Sequence, residues 1–134
     1  MSTLEHLDAW EEMAAAGRLA DAVVEYVRAN DWVSFPELQQ RLGAYLETGG
    51  DVCLELRTNL VVWAGMSQAF ADLVQGLLAA GRLSLHPASV MTYLIDGGML
   101  RLPLAKRDRE YRKPHWSPAC LRVVPLRRRG GVSP

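Results

Sequence analysis

Fifteen residues, SQAFADLVQGLLAAG from Ser67 to Gly81, constrain the fold more than any other part of this 134-residue chain. Phe70, Leu73, Val74, Leu77 and Leu78 recur at the i, i+3, i+4, i+7 spacing of a helix with a wide apolar stripe. Ser67 stands where a hydroxyl accepts from the open N–H groups of a first turn, and Gly81 where a left-handed residue ends the helix. Such a stripe must be buried against something, so the rest of the chain has to supply a core. With 49% apolar residues the material is there. The length fits a single domain over about residues 1–126, followed by a basic tail at 127–134.

Other helices are expected upstream. Leu19, Val23, Tyr26 and Val27 keep the same period and predict a helix over Leu19–Asn30. In SFPELQQRLGAYL, Ser34, Pro36 and Glu37 form an N-cap, an early proline and a returning glutamate, which predicts a helix over Pro36–Leu46. A first helix over 2–16 is predicted from the STLE capping box, Ser2–Glu5, with Gly17 as its stop.

Elsewhere the period changes to two. Val52, Leu54 and Leu56 alternate with Cys53, Glu55 and Arg57, and Thr58-Asn59 can turn the chain into Leu60–Trp63, so a hairpin is expected. Arg82–His86 and ACLRVVPL read as strands, and MTYLIDGGMLRLPL reads as apolar strands around an Asp96-Gly97 turn. On this reading the segment LPLAKRDREYRKPHWSPA is a hairpin loop between strands at Met99–Leu104 and Ala119–Val124.

That loop is where the charge gathers. The chain is formally neutral, but through residue 100 five arginines face thirteen acids, whereas from Arg101 onward ten basic residues face two acids. Opposite charge blocks point to a charged partner, or to the two halves neutralising each other. In an extended loop Arg107, Arg109 and Tyr111 would share one face, with Asp108 and Glu110 on the other.

The order of helices Leu19–Asn30, Pro36–Leu46 and Ser67–Ala80, then strands and a basic loop, resembles a winged helix-turn-helix. The likeness rests on SFPELQQRL, FADLVQGLLAAGRLSL and the hairpins after them, over about residues 18–125. It implies an α+β fold: a helical N-terminal half followed by a small antiparallel sheet whose long basic hairpin is the wing. It also implies that Ser67–Ala80 is the third, recognition helix. That helix contains no lysine or arginine, so contact with phosphates falls to the loop.

Other chemistries lack their residue patterns. No Cys-x-x-Cys or His-x-x-x-His spacing exists among Cys53, Cys120, His6, His86 and His115, so no metal is expected. No nucleophile elbow, phosphate loop or dinucleotide glycine pattern occurs, so neither an enzyme nor a cofactor is expected. No apolar run has the length of a membrane span, and the acidic N-terminus is unlike a secretory signal, which points to a cytoplasmic protein with free, buried thiols.

The expectation is therefore a non-catalytic nucleic-acid-binding protein, DNA ahead of RNA, with a role in transcription regulation. Lys106, Arg107, Arg109, Arg112 and Lys113 would contact phosphates, while Tyr111 and Trp116 stack on bases. The alternative is an adaptor that binds protein through the acidic helical half, with Trp10, Trp32, Trp63, Tyr26 and Tyr45 as anchors. In that reading the first helix or the Val52–Val62 hairpin could carry self-association into a homo-oligomer.

Overall fold

A computed structural model describes residues 7–125, so the STLE motif, His6 and the tail at 127–134 lie outside the described residues. The helix that dominates the sequence is the fourth, α4, Gln68–Ala79. The Ser67 hydroxyl accepts from the Phe70 N–H at 3.0 Å, and Phe70, Ala71, Val74 and Leu77 are buried. Gly81 ends the helix at φ +74, a value at which its missing Cβ matters, and its N–H donates to the Leu78 carbonyl at 3.1 Å.

Before it come α1 (Ala9–Ala15), α2 (Leu19–Asn30) and α3 (Phe35–Leu42). The first helix starts at Ala9 because the extended Asp8 is its N-cap, with the Glu11 carboxylate accepting from the Asp8 N–H at 3.0 Å. The third helix stops at Leu42, four residues short of the expected Leu46, with Gly43 as its cap. Its N-cap, Ser34, is fully buried, accepts from the Glu37 N–H at 3.2 Å and donates to Asp96 Oδ2 at 2.7 Å.

The expected hairpin is present as β1 (Gly49–Arg57) and β2 (Leu60–Met66), turned by Asn59 at φ +61. Next come β3 (Leu83–Pro87), α5 (Val90–Ile95), β4 (His115–Trp116) and β5 (Ala119–Val123). The fold is α+β, but its strands form two sheets rather than one antiparallel sheet. β3 and β5 pair antiparallel, and Val33, just before α3, bridges Leu121 of β5. The other sheet has the order β1-β2-β4, with β4 parallel to β2. The parallel pairing is open to β4 because the long excursion through α4, β3 and α5 brings the chain back in the same direction.

MTYLIDGG departs from its expected form as well. Its first half is a helix, not a strand, and Asp96-Gly97 is that helix's end, not a hairpin turn. Ser89 caps α5 by accepting from the Thr92 N–H at 3.4 Å. Gly97, at φ +84, donates to Leu94 O at 3.2 Å and Gly98 to Tyr93 O at 3.0 Å, which is a Schellman closure. A glycine with positive φ serves either turn, so the choice falls to packing: Tyr93 is fully buried and its hydroxyl donates to the Ala119 carbonyl. Only an isolated bridge, Leu104 to Trp116, remains of the expected Met99–Leu104 strand. The basic segment therefore runs between a helix and a two-residue strand, not between the arms of a hairpin.

Trp63, Tyr93 and Trp116 meet in the core with ring centroids 5.1 to 6.1 Å apart. Trp63 Nε1 donates to Gln39 Oε1 and Trp116 Nε1 to Val62 O, both at 3.0 Å, so these large rings are buried without orphaned donors. Of the aromatics named as candidate protein anchors, Trp10, Trp63 and Tyr26 are core residues, and Trp32 alone is exposed.

Candidate nucleic-acid interface

The basic segment is fastened to the turn of the β1–β2 hairpin. Asn59, left-handed at the turn, donates from Nδ2 to Tyr111 O at 3.0 Å and accepts from the His115 N–H at 2.8 Å. Tyr111 N–H donates to Thr58 O at 3.1 Å, and Ser117 N–H to Val61 O at 2.8 Å. Arg57 Nε reaches Asp108 Oδ1 at 2.7 Å. That ion pair is exposed and adds little stability by itself. It does, however, occupy the one acid that stands between Arg107 and Arg109.

Within the segment, Tyr111 closes a compact turn. Its hydroxyl accepts from the N–H groups of Lys106 and Arg107 and donates to Arg107 O, each at 3.1 Å. Arg109 N–H also donates to Arg107 O at 3.1 Å, so the backbone doubles back here and is not the extended strand that the alternation suggested. The Tyr111 ring carries the His115 imidazole, stacked at 4.0 Å between centroids, and the Arg109 guanidinium lies 4.2 Å from its centre. His115 in turn is oriented by its Nδ1 contact to Lys113 O at 2.8 Å.

Lys106, Arg107, Arg109, Arg112 and Lys113 are all exposed. Among the described residues none of these five forms an ion pair with a carboxylate. Three acids of the helical half are engaged by other arginines: Asp21 by Arg18 and Arg82, Glu25 by Arg28, and Asp31 by Arg122. Arg122 on β5 is thus the sole cation after residue 100 that pairs with the acidic half, among the described residues. Among the described residues, the two charge blocks form no ion pair that neutralises a cation of the basic segment. Three of the five cations, Lys106, Arg107 and Arg109, line an open cleft of about 500 Å³ together with Leu104, Tyr111 and His115.

Three expectations change in the fold. Trp116 is fully buried, and its indole N–H is spent on Val62 O, so it offers no face to a base. Tyr111 is half-buried and already stacked on its own chain's side chains, so it shapes the site rather than serving as a free platform. Cys53 is exposed and only Cys120 is buried, contrary to the expectation of two buried thiols.

Three residues that hold or line the site escaped the sequence reading: Asn59, Arg57 and Leu104. Asn59 was legible as a turn residue, but no local signal connects it with Tyr111, 52 positions away. Among the described residues no three His, Cys, Asp or Glu side chains gather as a metal site, and no helix is long and apolar enough to cross a membrane. Compared with family models, with curated proteins and with solved structures, the chain matches none, so the site is read from its own geometry.

Proposed function

We propose that this protein binds nucleic acid, chiefly through the phosphate backbone, using Lys106, Arg107, Arg109, Arg112 and Lys113. One observation carries the reading: five exposed cations on a hydrogen-bonded segment have no acid partner among the described residues. Holding five like charges together costs repulsion, and a polyanion that displaces its counterions offsets that cost.

A winged-helix reading of the same chain is supported by element order. Helix α2, the bridging Val33, α3, α4, β3 and β5 occur in that order, with Val33 beside β5 and β5 beside β3, while the β1–β2 hairpin is inserted between α3 and α4, and α5 and β4 between β3 and β5. The β3–β5 connection, where a wing would sit, holds the cationic segment. In that reading α4 would be the recognition helix, but it exposes Gln68, Asp72 and Gln75 and no cation, so it brings no positive charge to a phosphate. A role in transcription regulation would follow from DNA binding and carries no separate support.

The test is a binding titration across a salt series. Five phosphate contacts give a slope of log K against log salt near −4 to −5 on duplex and about −3.5 on single strands. Replacing Arg107, Arg109, Arg112 and Lys113 by Ala should flatten it to about −1. No binding to either form at low salt would overturn the proposal.

A further inference from the structure

The cationic cleft does not stand alone. Beside it lies a smaller, mainly apolar depression of about 270 Å³ that Leu56, Leu60, Leu85 and Pro87 line together with His86 and Asp108. Lys106 and Arg107 line both hollows, so one pair of cations separates two pockets. Leu56 is 52% exposed in the first pocket, and Leu104 is 46% exposed in the second. Leu56 is exposed although Leu54 is buried, because the β1–β2 register is irregular on both sides of Glu55 and the alternation breaks there.

From this juxtaposition we infer that the ligand is a single strand, its backbone crossing Lys106 and Arg107 with a nucleobase set into the pocket on either side. The inference rests on the nucleic-acid reading and narrows it. A duplex keeps its bases stacked inside and presents phosphates and sugars, which leaves the apolar hollow beside the cationic cleft without a use. A single strand can splay its bases outward into such hollows while its phosphates stay on the cations between them. In the larger cleft a base would meet Leu104, Pro103 and the edge of the stacked Tyr111–His115 pair, with guanidinium groups at its rim. α4 argues the same way. The helix that would have to enter a duplex groove brings no cation and exposes Asp72, held by Gln68 Nε2 at 2.8 Å.

The experiment compares a fluorescently labelled oligothymidine of about 12 nucleotides with a duplex of equal phosphate number, by anisotropy on the full chain at low salt. Tighter binding of the single strand by about tenfold or more is expected. Leu56→Ser and Leu104→Ser should weaken the single strand by about fivefold to tenfold each while leaving its salt slope unchanged, since neither touches a phosphate. Both leucines are already half exposed, so these variants keep the fold, which circular dichroism verifies. Arg107→Ala should weaken both ligands and reduce both slopes.

Equal or tighter duplex binding, or single-strand affinity indifferent to both leucine changes, overturns the inference and leaves the phosphate reading standing. Failure of both ligands to bind overturns the two together.

Discussion

Asn59 is the residue whose replacement separates geometry from charge. Its carbonyl bond to His115 survives any substitution, so two contributions are open to test: the side-chain bond to Tyr111 O at 3.0 Å and the tolerance of φ +61. Asn59→Gly removes the side-chain bond and keeps access to the left-handed region, at a cost of about 0.5–1.5 kcal/mol for the lost bond. Asn59→Ala loses the same bond and adds a left-handed penalty of about 1–2 kcal/mol. Glycine gives back roughly 0.4–1 kcal/mol through its freer unfolded chain, so Ala should be the worse variant by about 0.5–1 kcal/mol.

Urea midpoints at constant m measure that difference, and 1 kcal/mol corresponds to about 3–5 °C in Tm for a chain of this length. All five cations remain in both variants. Nucleic-acid affinity should therefore fall through lost pre-organisation, with the salt slope retained. If Gly proves at least as damaging as Ala, the backbone argument fails. If both match the parent in stability and in binding, Asn59 is no clamp.

Trp116→Phe keeps an aromatic ring in the core but strands the Val62 carbonyl, so urea denaturation should show a loss of about 1–3 kcal/mol while affinity for nucleic acid at fixed salt stays level. An affinity loss as large as that of Arg107→Ala would return Trp116 to the binding surface. The Arg122 guanidinium beside Asp31 holds its carboxyl below the usual range, and Arg18 and Arg82 do the same to Asp21. A depressed carboxyl stabilises the fold above the ordinary carboxylate pKa, and that contribution is lost as pH falls through the lowered value. The urea midpoint should thus drop on acidification below about pH 4, and Asp31→Asn should make the drop shallower. Burial pushes the Cys120 thiol up to about 11, whereas Cys53 is exposed, so a thiol reagent at pH 8 should label one cysteine in the folded chain and two in denaturant. Two labelled thiols without denaturant would contradict the burial of β5.

The sequence by itself determined the elements whose signals are local. Phe70, Val74 and Leu77 with Ser67 and Gly81 specify α4, because stripe, cap and terminator all lie within one stretch of chain. Thr58-Asn59 between the alternating Val52–Arg57 and the apolar Leu60–Trp63 specifies the β1–β2 hairpin in the same way. The clustering of Lys106, Arg107, Arg109, Arg112 and Lys113 was equally legible, since charge is a property of composition.

Tertiary structure decided the rest, because the same local residues suit two competing roles. Asp96-Gly97 suits a hairpin turn or a helix end, and burial of Tyr93 beside Trp63 and Trp116 selected the helix. Trp116 suits a base platform or a core, and the Val62 carbonyl waiting 3.0 Å from its indole nitrogen selected the core. Whether acids of the first hundred residues would pair with the basic segment depended on where the fold set them. Arg18, Arg28, Arg82 and Arg122 took Asp21, Glu25 and Asp31, and the segment kept its charge. Its anchoring by Asn59 spans 52 residues, and contacts at that separation exist only once the chain has folded.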